Sequence, residues 1–265
     1  MYTDVLGKYT GDKFGRLIND DGLSANLFHN GCHAFKVFNL GYGKSEVYAE
    51  AYAMSCVEQQ GLPAAKVYQV LYEDGHWVIE MEYLRGPAMM DRVIAAAEAG
   101  DTAALDTEMN MLARLQHMVH STGGGRLPSV KNALCDILRQ KEALTGDQRK
   151  NVLDRLDALP DGDRVVHGDF QPFNILYDGG RPVIIDWATA GAGVPACDVA
   201  RTWLNFSLPP VPALQRLEMN NRYFRAYQRE SGMSFAEIQP WFPVMAGLSV
   251  GRDPVFTAHM QQYLL

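Results

Sequence analysis

The chain has 265 residues, 47% hydrophobic and 21% charged, with a formal net charge of −7. That length can bury one large core or two small lobes, and the acidic balance argues against a general nucleic-acid binder. No apolar run reaches membrane-spanning length, the start MYTDVLGKYT lacks the pattern of a secretory signal, and the scattered Cys32, Cys56, Cys135 and Cys197 form no zinc spacing, so a reduced, cytoplasmic protein is expected.

Residues 1–86 read as strands plus one helix. Leu17-Ile18 and Leu27-Phe28 flank a loop, Gly22-Leu-Ser-Ala-Asn26, whose backbone amides and Ser24 hydroxyl suit contact with phosphate. Ala34 to Phe38 is a short apolar strand interrupted by Lys36, a position where an ammonium needs a partner. Gly41-Tyr-Gly-Lys-Ser45 ends like a phosphate-binding P-loop, but position 38 is Phe where that motif needs glycine, so it is set aside. Val47 to Gln60 reads as a helix closed by Gly61 and Pro63. Lys66–Tyr72 and His76–Met81 are strands around a Glu-Asp-Gly turn. Arg85-Gly86-Pro87 breaks the pattern and marks the expected lobe boundary, giving lobes over 1–86 and 87–265.

From Met89 the chain turns helical. Leu105, Met109, Leu112, Leu115 and Val119 recur at helical spacing, and Gly123-Gly-Gly125 ends that run. Lys131–Leu144 and Asp147–Leu159 read as two further helices. The segment from Asp198 onward is mainly helical and interrupted by Pro209, Pro210 and Pro212.

Between these helical stretches lies VVHGDFQPFNILYDGGRPVIIDW, residues 165–187. Val165-Val166, Ile175–Tyr177 and Pro182–Ile185 read as short strands, and Asp178-Gly-Gly-Arg181 is turn chemistry. Asp169 and Asn174 are five apart on one loop, and Asp186 follows seventeen after Asp169. The expected hairpin returns Asp186 toward the loop. Two oxygen ligands and a nearby carboxylate suit a site that holds Mg²⁺ and a nucleotide while activating a hydroxyl.

HGDFQPFN resembles the HGDxxxxN loop of the aminoglycoside phosphotransferase and choline kinase superfamily, and IIDW resembles its second metal motif. The ordered set, with Asp198 in GVPACDVART as a further match, covers residues 165–201, and a looser pattern reaches back to about Phe35. The resemblance implies an α+β, protein-kinase-like bilobal fold with a strand-rich N-terminal lobe and a larger helical C-terminal lobe. It implies ATP and Mg²⁺ as cofactors and a small-molecule hydroxyl as acceptor, with no nucleic-acid or membrane partner.

Carried over position by position, the resemblance makes Asp169 the catalytic base and Asn174 and Asp186 the Mg²⁺ ligands. His167 and Asp198 support the loop, with a third metal ligand as the alternative for Asp198. Lys36 would hold the α- and β-phosphates and pair with Glu50, or with Glu46 one turn earlier. In Glu80–Gly86, which resembles the inter-lobe linker, the Glu82 carbonyl and Leu84 amide would bind the adenine edge and Met81 would line the pocket. Gly168 replaces the arginine of a protein kinase and no APE segment follows Trp187, which favours a small-molecule kinase. A protein kinase and a catalytically silent kinase-like binding protein are the alternatives. The latter is opposed by the presence of Lys36, Asp169, Asn174 and Asp186 together.

Charge bears on the acceptor. Residues 199–265 carry Arg201, Arg216, Arg222, Arg225, Arg229 and Arg252 against Glu218, Glu230, Glu237 and Asp253. That surplus suits no polycation. Trp203, Phe206, Tyr223, Phe224, Tyr227, Trp241 and Phe242 offer aromatic surface for a choline-like cation, although helical spacing favours core packing for Tyr223, Phe224 and Tyr227.

Overall fold

Alternation along the third strand organises the first part of the chain. In β3 (His33–Phe38), Phe35 and Val37 point to one face, and Lys36 and Phe38 to the other, as the two-residue period requires. The first face packs with Tyr9, Phe14, Phe28 and Val78; the second packs Phe38 with Val47, Ala51 and Ile79. The computed structural model describes residues 7–19, 24–207, 218–251 and 254–264.

Two compact units result. The first comprises Met1–Pro87 together with Leu176–Ala188. Its antiparallel sheet runs in the order β1 (Arg16–Asn19), β2 (Ala25–His29), β3, β5 (His76–Glu82), β4 (Val67–Glu73). Helix α1 (Lys44–Gln59) covers the Phe38 face through Val47 and Ala51. It begins three residues before Val47, at Lys44, so the Gly-Lys-Ser segment is spent as a helix start.

The later segment joins this unit through the backbone. Ile184 N–H donates to the Pro63 carbonyl at 2.6 Å and Tyr177 N–H to the Pro87 carbonyl at 3.0 Å. Strands β7 (Ile175–Asp178) and β8 (Arg181–Ile184) form the expected hairpin. Gly179 and Gly180 both have positive φ, which a tight two-residue turn with the right twist needs. Gly86 has no room for a side chain, since a Cβ there would lie 1.5 Å from the Tyr177 carbonyl oxygen.

The second unit is Ala88–Ile175 with Thr189–Leu265. The run from Met89 is two helices, not one. α2 (Met89–Ala99) stops at Gly100 in the left-handed region, and Asp101 then caps α3 (Thr102–Ser121) by accepting the Ala104 N–H at 3.0 Å. α4 (Val130–Gln140) is shorter than its sequence pattern, and α5 (Gly146–Ala158) opens on a reciprocal Thr145/Gln148 cap.

β6 (Arg164–Val166) pairs with β9 (Gly191–Gly193), a strand that composition does not announce. Gly191 is required there by crowding: a Cβ would lie 2.6 Å from the Pro128 carbonyl oxygen. α6 (Pro195–Ser207), α7 (Met219–Ser231), α8 (Phe235–Ile238), α9 (Phe242–Ser249) and α10 (Pro254–Met260) complete the described part. Pro209, Pro210 and Pro212 lie outside the described residues. Among the described residues no helix is long and apolar enough to cross a membrane.

Candidate active site

In the first unit the strand period delivers Lys36 to the face that α1 covers, and α1 presents Glu50 there. Lys36 Nζ lies 2.6 Å from Glu50 Oε1 and 3.6 Å from Asp186 Oδ1. Glu46 is exposed and accepts a hydrogen bond from its neighbour Ser45 instead. Burial opposes the charge on Lys36, but Glu50 and Asp186 outweigh it and hold the ammonium above its usual pKa. The Glu50 carboxyl is also pushed up, because its burial outweighs the attraction of Lys36.

Asp186 follows β8 with φ of +62°, a left-handed conformation that few residues besides Gly, Asn and Asp adopt. Its side chain is 46% exposed. Trp187, fully buried, donates its indole N–H to the Ile184 carbonyl at 3.0 Å and so fixes the turn that carries Asp186.

The linker residues sit at the end of β5. Glu82 N–H donates to the Lys66 carbonyl at 2.8 Å, and Arg85 N–H donates to Asp178 Oδ1 at 3.0 Å. Met81, Glu82 and Leu84 are half-buried. Ser24 lies in a bend and accepts the Asn39 N–H on its carbonyl at 2.9 Å; Gly22 and Leu23 of the same loop are outside the described residues.

In the second unit the loop after β6 turns at Gly168. Its φ is +81°, and a Cβ would lie 2.6 Å from the Thr189 carbonyl oxygen, so glycine is required. The carboxylate of Asp198, 1% exposed in the first turn of α6, braces this turn. Its Oδ1 accepts the Gly168 N–H at 2.9 Å and its Oδ2 accepts the His167 N–H at 3.0 Å. Burial would raise the Asp198 pKa, but the His120 hydrogen bond and the nearby His120 and His167 rings outweigh it and hold it below the usual value. His167 is fully buried, and its Nδ1 accepts the Asp169 N–H at 3.2 Å.

Among the described residues Asp169 meets three side-chain donors. Oδ1 lies 3.1 Å from Arg201 Nη2 and accepts from Asn205 Nδ2 at 3.4 Å, while Oδ2 accepts from Gln171 Nε2 at 3.0 Å. Asn174 is buried and donates its amide Nδ2 to the Asp169 carbonyl at 2.9 Å. Its amide oxygen is therefore the end not committed to that bond.

Several residues escaped the sequence reading. His120 bridges Tyr227 OH, 2.6 Å from Nδ1, and Asp198 Oδ2, 3.1 Å from Nε2. One turn earlier on α3, Gln116 accepts the Tyr223 hydroxyl and donates to Thr202 Oγ1 at 3.2 Å; Thr202 in turn donates to the Phe170 carbonyl at 2.7 Å. A readable signal existed. Gln116 comes four residues after Leu112 and seven after Met109, and His120 four after Gln116, so both fall on the buried face of α3. Arg201 and Asn205 are four apart on α6, one turn beyond Asp198.

Most of the aromatic residues offered for a cation cage pack against other rings. Tyr223, Phe224 and Tyr227 are buried, and Trp203 stacks on Phe242 with ring centroids 4.9 Å apart. The arginine surplus is also partly spent: Arg222 contacts Asp106 at 2.6 Å and Arg229 donates to Asn110 at 2.6 Å.

Comparison with known proteins bears on the fold and the family. No curated protein matches the chain by sequence. Among solved structures, an aminoglycoside-3'-phosphotransferase of type VIII is 18% identical with a TM-score of 0.61, covering 87% of this chain and 90% of its own. The choline kinase LicA from Streptococcus pneumoniae is 16% identical with a TM-score of 0.63, over 95% of this chain and 94% of its own. A thermostable mutant of aminoglycoside phosphotransferase APH(4)-Ia, in ternary complex with AMP-PNP and hygromycin B, gives 16% identity and a TM-score of 0.63, over 96% and 94%. These likenesses establish the protein-kinase-like fold, with a strand-rich N-terminal part and a helical C-terminal part. The model of the phosphotransferase enzyme family matches residues 19–233, and the chain belongs to that family.

Proposed function

We propose that this protein is an ATP- and Mg²⁺-dependent kinase that moves the γ-phosphate to a hydroxyl of a small molecule, directly and in line. The observation that carries the reading is the convergence of Lys36, Glu50 and Asp186, within 2.6 and 3.6 Å of the lysine nitrogen. A structural neighbour that holds AMP-PNP and hygromycin B supports both a nucleotide and a small-molecule acceptor.

Lys36, held by Glu50, binds the α- and β-phosphates and offsets their charge. The linker positions the adenine through the Glu82 carbonyl and Leu84 amide, with Met81 beside it, and Ser24 contacts phosphate. Asn174 and Asp186 offer an amide oxygen and a carboxylate, the hard oxygen donors that Mg²⁺ prefers. That fit is chemical: Asn174 Nδ2 is occupied by the Asp169 carbonyl, which leaves its oxygen for the metal. When bound, Mg²⁺ supplies neutralisation of phosphate charge. Asp169 orients the acceptor hydroxyl and takes its proton as the new O–P bond forms and the bond to the ADP oxygen breaks. His167 and Asp198 hold the loop in place, and no phosphoenzyme forms. Four unpaired cysteines fit a reducing cytoplasmic setting.

The deciding experiment is a screen of small alcohols, amino alcohols, sugars and hydroxy acids with Mg·ATP, read as ADP release. Acceptor-dependent release that Asp169→Asn abolishes is expected. Release unaffected by Asp169→Asn would overturn the reading.

A further inference from the structure

The carboxylate of Asp169 is not evenly used. A carboxylate offers about four acceptor directions, two on each oxygen. Oδ1 faces two donors, the Arg201 guanidinium at 3.1 Å and the Asn205 amide at 3.4 Å. Among the described residues Oδ2 accepts only from Gln171, at 3.0 Å. The contact is largely dry, with Arg201 12% and Asp169 18% exposed as side chains.

Resting on the kinase reading above, we infer that Arg201 and Asn205 are positioning residues that saturate Oδ1 of Asp169 and reserve Oδ2 for the acceptor hydroxyl. Three features support this. Arg201 and Asn205 are four apart on α6, so one rigid helix face delivers both donors. The same helix is tied to the loop on either side of Asp169. Asp198 accepts from the His167 and Gly168 N–H groups before it, and Thr202 donates to the Phe170 carbonyl after it. Loop and donors therefore move as one body. Finally, catalysis of phosphoryl transfer rests on orientation more than on base strength, so a carboxylate paired with a guanidinium suffices when it is aimed.

Aim is what the pair supplies. With Oδ1 held, rotation about the Asp169 side-chain bonds is blocked, and one direction on Oδ2 stays open. Gln171, on the loop itself, sets the angle of that oxygen.

The test compares wild type with Arg201→Ala, Arg201→Lys, Asn205→Ala and Asp169→Asn. The probe is ADP release from Mg·ATP with water as acceptor, followed with and without guanidinium chloride well below denaturing concentration. Arg201→Ala is expected to lower kcat about 100-fold, the scale of a misaimed reacting group, with KM for ATP nearly unchanged. Guanidinium ion should recover about tenfold of that loss in Arg201→Ala and none in Asp169→Asn. Arg201→Lys should retain intermediate turnover, and Asn205→Ala should lose roughly fivefold, as the weaker of the two donors.

Turnover of Arg201→Ala within about threefold of wild type overturns the inference. So does a loss that guanidinium does not relieve. If Arg201→Ala fails to fold, Arg201→Lys and Asn205→Ala decide: wild-type kcat in both overturns it. Wild-type release that is independent of Asp169 marks a failure of the kinase reading itself.

Discussion

Lys36 and Glu50 form an ion pair 2.6 Å long in which the lysine side chain is 20% exposed and the glutamate 6%. A pair this dry is weak evidence for stability but strongly constrains where the ammonium points. Glu50→Ala is expected to strand the charge. Removing one partner of a buried pair costs on the order of 3 kcal/mol, so the melting temperature should fall by several degrees. Lys36→Ala should weaken ADP and ATP binding about tenfold or more and cost at least as much stability, since it strands Glu50, the more buried partner. Thermal melts beside nucleotide titrations separate the two effects, and equal nucleotide affinity in Lys36→Ala would count against the phosphate role.

Asp186 is placed by strained backbone and by the buried Trp187 anchor, yet its carboxylate is half-exposed. Asp186→Ala should abolish the Mg²⁺ dependence of ATP binding without unfolding the chain. Calorimetric titration of ATP with and without Mg²⁺ reads this directly; unchanged Mg·ATP affinity would refute the ligand role.

Asp169→Asn should lower acceptor-dependent ADP release by about 10²–10⁴, the usual contribution of a positioned proton acceptor. Nucleotide affinity should hold. Single-turnover kinetics with the acceptor found by screening provide the measurement.

Asp198 is held below the usual carboxylate pKa, so it binds protons less readily folded than unfolded. Its contribution is therefore complete above the unfolded value near 3.8 and is lost as pH falls through the lower folded value. Urea midpoints for wild type should drop on acidification below about pH 4, and Asp198→Asn should show a lower midpoint at neutral pH with a flatter acid limb. Parallel pH curves for the two proteins would contradict this.

The acceptor is expected to be neutral, zwitterionic, anionic or singly cationic, and not a polyamine antibiotic. Arg201 places a guanidinium against Asp169, and Asp106 and Asp91 are already used, by Arg222 and by the Ala88 N–H. An ammonium beside the reacting hydroxyl would meet that guanidinium without a matching carboxylate. Steady-state kinetics with kanamycin- and neomycin-like acceptors beside choline, homoserine and neutral sugars check it. A high specificity constant for the aminoglycosides alone would reverse the expectation.

Local order was legible in the chain. Two-residue alternation around Lys36, turn chemistry at Asp178-Gly-Gly-Arg181 and the spacing of Asp169, Asn174 and Asp186 are all short-range patterns, and backbone geometry translates them directly into strands, a hairpin and a loop. The family followed from the same short motifs. The α2–α3 break and the β6–β9 pairing were harder to see. One depends on a single left-handed glycine, and the other joins segments with no hydrophobic alternation.

What only tertiary structure decided is the choice of partners. Sequence favoured Glu50 as the partner of Lys36 and kept Glu46 as the runner-up; the crossing of α1 over the Phe38 face brings Glu50 in and leaves Glu46 at the surface. Sequence counted Arg201 as one of six arginines set against four acidic residues in 199–265, and packing of α6 beside the loop turned it onto Asp169. Gln116 and His120, which sequence alone did not single out, meet Tyr223, Tyr227, Thr202 and Asp198 only because distant helices pack on α3. A buried polar group must find a hydrogen-bond partner, but composition and spacing do not say which one; that depends on contacts between residues far apart in the chain.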